Sequence, residues 1–319
     1  MAYKIYVDGQ EGTTGLMIRE RLLARNASAG DLDILEIDPD KRKDASERKK
    51  YINAADVVFL CLPDDAAREA VSMTENARTR LIDASTAHRT AAGWAYGIPE
   101  LSAKHRDDIR QANRVSVPGC FASGFNILIY PLVARGLIPA DHPLYCHSVT
   151  GYSGGGKKLI ARYEDKSRDK ALDSPCFYKL SLNHKHLPEM QTVSGLSRPP
   201  LFTPIVADFY SGMTVAVPLY LRAGLDLSVS VLCDFYADYY KGQPFIKVTP
   251  DGGQNLYDGD YLCATGCNGT NSMELSVCGN DEQAVLFACF DNLGKGSSGA
   301  AVQCMNIMTG SDERLGLPL

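Results

Sequence analysis

The chain has 319 residues, 45% of them hydrophobic and 22% charged, with a formal net charge of −5. That length predicts two domains with sizeable cores, and the composition excludes disorder and fibre. Scattered basic residues give no footprint for nucleic acid or an anionic membrane; no apolar run reaches the roughly 18 residues of a membrane span; and the glycine-bearing start lacks the apolar stretch of an export signal, so a cytoplasmic protein acting on a small molecule is expected.

The first run, Tyr3 to Asp8, is β-prone and stops at Gly9, and from Gly15 apolar residues recur at helical spacing. Further strands are predicted at Leu32–Ile37, Val57–Leu62 and Leu81–Asp83, with helical or polar stretches between them. Strands alternating with helices predict an α/β, doubly wound parallel sheet of Rossmann-like type. Gly9, Gly12 and Gly15, with Thr13 and Thr14 opening the helix, form a strand–turn–helix able to hold a pyrophosphate against backbone N–H groups. Asp38 ends the second strand about 20 residues on, where an acid reads a ribose hydroxyl. Lys41, Arg42 and Lys43 follow at once, and their charge suits a 2′-phosphate, so NADP is expected. Pro63, after the third strand, is expected to line the same cleft.

Asp83-Ala-Ser-Thr-Ala-His-Arg89 leaves the fourth strand at its ligand edge, and Arg89 offers a bidentate fork for an anion. Cys120 follows Pro118-Gly119 and opens a helix predicted over Phe121–Leu132, so its sulfur sits at a positive helix end with backbone donors beside it for an oxyanion. From there the texture is richer in strands: Tyr145–Thr150, Thr214–Leu221, Leu227–Phe235, Glu274–Gly279 and Ala284–Phe290. This predicts an α+β domain on a mixed or antiparallel sheet, whose apolar faces suit a homodimer or homotetramer. Gly151-Tyr-Ser-Gly-Gly-Gly-Lys157 offers Ser153, Gly154 and Lys157 to a second anionic group. Among six histidines, His184 and His186 stand together in His-Lys-His-Leu-Pro-Glu, and alternation would set both on one face of an extended segment near Glu189. One can be the acid/base and the other its support; Glu189 is expected to tune one of them or border the substrate. The glycine-rich tail is expected to form a loop and a short helix on the first domain. This gives 1–117 with 294–319 as the nucleotide-binding domain and 118–293 as the catalytic and oligomerisation domain. The ten cysteines are dispersed, which points to a reduced protein, and Cys263 and Cys267 lack a second pair, so no metal is expected.

The ensemble of Val-Pro-Gly-Cys120-Phe-Ala-Ser-Gly, Gly151-Tyr-Ser-Gly-Gly-Gly-Lys, His184-Lys-His-Leu-Pro-Glu and Asp291-Asn-Leu-Gly-Lys-Gly-Ser-Ser-Gly-Ala-Ala-Val-Gln resembles the semialdehyde dehydrogenase superfamily, and within it the short class of N-acetyl-γ-glutamyl-phosphate reductases. The resemblance implies NADPH-dependent reduction of an acyl phosphate to a semialdehyde in arginine biosynthesis, through a thioester on Cys120. It implies a histidine pair facing Cys120, of which we take His186 as acid/base with His184 second, Asn292 and Gly296 near the nicotinamide, and Ser85 bordering the cofactor cleft. Aspartate-semialdehyde dehydrogenase shares the chemistry, but its arginine-bearing helix near the histidine has no counterpart here. A lysine-pathway reductase acting on an acidic carrier would want a cationic surface, and a nucleotide-sensing protein would not keep an intact cysteine and histidine pair.

Overall fold

The β-prone runs and helical stretches of the first third assemble in chain order. The computed structural model describes residues 2–222, 224–249, 256–257 and 261–319. They divide into two units: one runs to Pro118 and resumes over Ser297–Leu317, and the other spans Gly119–Gly296 and takes in Pro318 and Leu319.

In the first unit β1 (Tyr3–Asp8), α1 (Thr13–Ala29), β2 (Leu32–Leu35), α2 (Ala45–Ala54), β3 (Val57–Leu60), α3 (Asp64–Ser72), β4 (Arg80–Asp83), β5 (Ala95–Tyr96), α4 (Ala103–Gln111) and β6 (Arg114–Ser116) follow one another. The strands lie in the order β2-β1-β3-β4-β6-β5 and every pairing is parallel. All four residues of β3 are buried, as a central strand covered on both faces requires. Chain direction reverses across the sheet beside β1, and the carboxyl ends of β1 and β3 there frame a ligand crevice. The C-terminal helix, Gly299–Met308, is buried along its whole length against α1 and α4. Arg25 fastens it through Nε to Asn306 Oδ1 at 2.7 Å, and Arg21 through Nε to Ser298 Oγ at 3.0 Å.

The second unit opens with α5 (Cys120–Ala134), then β7 (Tyr145–Gly151), α6 (Gly156–Glu164), β8 (Cys176–Phe177), α7 (Leu187–Ser194), β9 (Leu201–Ala207), β10 (Met213–Tyr220), α8 (Val229–Tyr239), β11 (Ile246–Thr249), the hairpin β12 (Leu256–Tyr257) and β13 (Tyr261–Leu262), β14 (Met273–Gly279) and β15 (Gln283–Phe290). Its main sheet has the order β11-β14-β15-β10-β7-β9-β8 and is mixed: β7 with β9 and β11 with β14 are parallel, the other pairs antiparallel. The apolar α5 packs on β10 and β15.

Two differences from the sequence reading have physical causes. The predicted strand Leu227–Phe235 is the helix α8, capped by Ser228, whose Oγ accepts the Val231 N–H at 3.2 Å. Its alternating serines and valines read as a strand, but tertiary contacts override that pattern. Pro131 inside α5 cannot bond back to the Ile127 carbonyl, and the Tyr240 hydroxyl of the residue following α8 takes that place at 2.5 Å; Tyr236, one turn earlier, reaches the Leu128 carbonyl at 2.5 Å. Conversely β9, which holds Pro204, goes unread in the sequence. The strand tolerates it, and the Pro204 carbonyl still accepts the Tyr178 N–H at 3.2 Å.

Candidate active site

The nucleotide side is built on the end of β1. Gly9 has φ +87°, and a β-carbon on it would lie 2.4 Å from the Cys61 carbonyl oxygen; one on Gly15 would lie 2.4 Å from the oxygen of Gly9. Only glycine fits at these two positions. Gly12 is in an ordinary extended conformation with room for a β-carbon, so its value is different: as N-cap of α1 it brings no side-chain acceptor to the first turn, leaving the N–H groups of Thr13, Thr14 and Gly15 turned towards an incoming anion. A cavity of about 550 Å³ lies here, lined by Gly9, Gln10, Glu11, Arg42, Lys43 and Arg48 among others. A cradle sterically reserved for glycine, an open helix start and the cations Arg42 and Lys43 fit a phosphorylated dinucleotide.

Asp38, the acid whose spacing suits a ribose, is engaged in its own turn. It lies beyond β2, which stops at Leu35, and its carboxylate accepts the Asp40 N–H at 3.0 Å as the cap of a short 3₁₀ turn. Neither Asp38 nor Lys41 lines the cavity, whereas Arg42 and Lys43 do. Arg42 is held to Glu11 at 2.6 Å. Beneath them a pair the sequence reading missed, Asp8 and Arg48, meets at 2.9 Å with both side chains buried. Burial pushes the Asp8 carboxyl above its usual range and the guanidinium pulls it back. A carboxylate ending a buried strand was the available signal.

At the end of β4, Asp83 is fully buried; it accepts the Ser85 N–H at 2.9 Å and hydroxyl at 2.7 Å and lies 2.6 Å from His88 Nδ1. His88 stacks on Trp94 at 4.3 Å. Arg89 is fixed by its Nε on the Val117 carbonyl at 3.2 Å. Pro63 is the N-cap residue of α3, where Asp64 accepts the Thr86 N–H at 2.9 Å.

The thiol side belongs wholly to the second unit. Cys120 is the first residue of α5, half-buried, and its N-cap Gly119 contributes no side-chain cap. The histidine segment is a turn into α7, with His186 in helical φ/ψ as its N-cap, not an extended strand. The His186 N–H donates to His184 Nδ1 at 3.1 Å. Neutral His184 therefore carries its proton on Nε2. Its ring is boxed edge-on by Phe202 at 5.2 Å, Phe121 at 5.5 Å, Tyr178 at 6.0 Å and His186 at 4.6 Å. Tyr178, unforeseen in the sequence, is raised above the usual phenol range by burial first and by the Cys120 charge second, which puts it within electrostatic reach of the sulfur. Its position six residues before His184 carried no readable signal.

Glu189 is buried and its Oε1 accepts the Gly119 N–H at 2.8 Å. Asn292 uses both ends of its amide inside this unit: Oδ1 accepts from Gly212 N–H at 2.8 Å and Nδ2 donates to Ser153 Oγ at 3.0 Å. It thereby braces the 151–156 glycine loop, in which Gly154 is exposed and Ser153 buried; Lys157, exposed, is the second residue of α6. Among the described residues no group of three or more His, Cys, Asp or Glu could hold a metal ion.

Comparison with known proteins fits this arrangement. Residues 17–112 match the model of the semialdehyde dehydrogenase NAD binding domain, and residues 120–292 that of the semialdehyde dehydrogenase dimerisation domain. A protein of Nostoc sp. (strain PCC 7120) named N-acetyl-gamma-glutamyl-phosphate reductase 2 is 46% identical, over 98% of this chain and 99% of its own. The chain belongs to the N-acetyl-γ-glutamyl-phosphate reductase family. A reductase of that name from Chelativorans sp. (strain BNC1) is 45% identical over 97% of this chain and 98% of its own. Solved structures extend the likeness in fold alone: a probable aspartate-semialdehyde dehydrogenase of Pseudomonas aeruginosa superposes with a TM-score of 0.71 at 16% identity, covering 97% of this chain and 99% of its own. The Candida albicans aspartate semialdehyde dehydrogenase solved with NADP gives 0.63 at 15%, covering 97% and 99%. The reductase family and the aspartate enzymes thus share one scaffold, and sequence identity assigns this chain to the former. No helix among the described residues is long and apolar enough to cross a membrane.

Proposed function

We propose that the protein reduces N-acetyl-γ-glutamyl phosphate to N-acetyl-L-glutamate 5-semialdehyde, releasing phosphate and consuming NADPH, as a step of arginine biosynthesis in the cytoplasm. The observation that carries the reading is Cys120 at the uncapped start of α5 in a chain 46% identical to a named reductase. The Cys120 thiolate attacks the acyl carbon; the oxyanion that forms meets the N–H donors of the first turn of α5. The carbon–oxygen bond to phosphate then breaks, leaving a thioester. Reduced nicotinamide, when bound, supplies the hydride that converts this thioester to a thiohemiacetal. His186 gives a proton to the new alkoxide and takes it back as the carbon–sulfur bond breaks, releasing the aldehyde and restoring the thiolate.

The choice of His186 rests on its neighbour. His184 can gain a second proton only by surrendering the bond from the His186 N–H, so it is read as the support and His186 as the shuttle. Arg89 and the Ser153–Lys157 loop are read as the anion-binding groups. Glu189 is not: a buried carboxylate repels a doubly anionic substrate. Asn292 is read as the brace of the glycine loop, while Gly296 lets its turn approach the cysteine. For the cofactor, Gly9 and Gly12 to Gly15 take the pyrophosphate, Pro63 and Ser85 border the cleft, and Arg42 and Lys43 take the 2′-phosphate in preference to an Asp38-bound ribose. Nucleotide binding is assigned to the first unit; catalysis and self-association, as a homodimer or homotetramer, to the second.

The test is the reverse reaction. N-acetylglutamate semialdehyde, phosphate and NADP should yield reduced cofactor with the parent and none with Cys120→Ala. Turnover of aspartate semialdehyde in its place would sink the assignment.

A further inference from the structure

We infer that Glu189 is the positioning residue that sets the peptide in front of the nucleophile, acting through its oxygen as an acceptor and through the length of its side chain. The inference deepens the proposed reaction, since it rests on Cys120 being the nucleophile. Gly119 is gripped on both sides. Its N–H donates to Glu189 Oε1 at 2.8 Å, while its carbonyl accepts the Ser123 N–H at 2.8 Å and the Ser123 hydroxyl at 3.2 Å. One grip fixes the Pro118–Gly119 peptide plane and the other the Gly119–Cys120 plane. In a trans peptide the N–H points opposite to the preceding carbonyl. With the Gly119 carbonyl turned into α5, the Cys120 N–H must point out of the helix start, where an oxyanion would sit.

Why a glutamate is used follows from what the other elements lack. A Ser, Thr or Asp N-cap would occupy the first-turn donors with its own oxygen; glycine leaves them open but leaves its own φ and ψ unrestrained. The restraint comes instead from α7, one turn after His186 in the same helix, so residues three apart share a face. The element carrying the acid/base thus also holds the peptide before the sulfur. Glu189, Gly119 and Ser123 are all buried, so water does not substitute for a lost contact.

Three substitutions test this with intact protein. Glu189→Gln keeps an acceptor oxygen at the same reach; Glu189→Asp keeps the charge but falls short by one methylene; Glu189→Ala removes both. The expected result is a kcat for Glu189→Gln within about 3-fold of the parent, and losses of about 10- to 100-fold for Glu189→Asp and Glu189→Ala with the KM for NADPH unchanged. A Glu189→Asp enzyme that works while Glu189→Gln fails would make charge the determinant and overturn the inference, as would a folded Glu189→Ala enzyme at parental rate. Should Glu189→Ala not fold, the Gln–Asp contrast decides alone. Alkylation of Cys120 by iodoacetamide, read by mass spectrometry, needs no substrate and separates this inference from the proposed reaction. Glu189→Asp should slow it about 5-fold or more while Glu189→Gln does not, even if the parent reduces no acyl phosphate; equal alkylation rates in the two would overturn the tether.

Discussion

A β-carbon placed on Gly296 would lie 3.0 Å from the β-carbon of Cys120 and 3.1 Å from the Phe290 ring. The turn that begins the return of the chain towards its C-terminal helix therefore passes directly over the nucleophile. Gly296→Ala must push aside the half-buried Cys120 or the buried Phe290 ring. We expect kcat to fall about 10-fold or more with a stability loss of only about 1–3 kcal/mol. Steady-state rates and urea unfolding check this; an unchanged kcat would mean that the turn yields freely.

Acylation of Cys120 is the central chemical prediction. Enzyme quenched during turnover should carry the N-acetylglutamyl group on Cys120 by mass spectrometry. Cys120→Ser should lose at least about 10³-fold in kcat, because a serine hydroxyl at neutral pH has no thiolate to offer. An active Cys120→Ala enzyme would end the thioester mechanism.

The histidines should separate by kind of loss. His186→Asn removes the proton carrier and should cost about 10²- to 10⁴-fold in kcat, with cofactor affinity within about 2-fold. His184→Asn keeps an oxygen able to accept the His186 N–H in place of Nδ1, so its loss should be about 10-fold. The reverse order would exchange the two roles.

Arg42 and Lys43 line the nucleotide cavity while Asp38 is spent on its own turn. Arg42→Ala should raise the KM for NADPH by about 10- to 100-fold and leave that for NADH almost unchanged, since only the former has a 2′-phosphate to lose. Equal effects on both nucleotides would remove Arg42 from the recognition of that group.

Arg48→Met leaves the Asp8 carboxylate buried without its guanidinium and should cost about 3–5 kcal/mol of stability. The pH dependence has a definite sign. Burial raises the folded pKa of Asp8 above its unfolded value, and losing Arg48 raises it further. The extra cost in the variant is therefore absent below the parent's folded pKa, where Asp8 is protonated in both folded proteins, and grows as pH rises from that value towards the variant's own, higher folded pKa. Urea midpoints at pH 4.5 and 7.5 should show the variant nearest the parent in acid. A second change, Asp8→Leu in the same chain, should recover part of the loss at neutral pH.

Much of this site is readable along the chain because its determinants are local. Gly9 and Gly15 announce a turn, and Pro118-Gly119-Cys120 announces a helix start, because the backbone itself imposes those residues. What hides is partnership at a distance. Nothing near Glu189 says that its acceptor is wanted seventy residues earlier, at Gly119. Nothing near Tyr240 tells that Pro131 has left the Ile127 carbonyl in need of a hydroxyl, and the alternation over Leu227–Phe235 reads as a strand where the chain forms a helix. At Asp38 the spacing suits a ribose, and what spacing does not tell is that the carboxylate also caps the turn through the Asp40 N–H two residues on.

The helix Gly299–Met308 fills the floor of the unit that begins the chain, with Arg21 and Arg25 of α1 waiting to grasp it. On the ribosome, then, the part made first is finished late: its interior stays hollow until residues 297–317 emerge, while the unit in the middle already has every strand it needs. A nascent chain released before that stretch yields a thiol-bearing body with all its strands, short only of Pro318 and Leu319, attached to a nucleotide fold missing its floor.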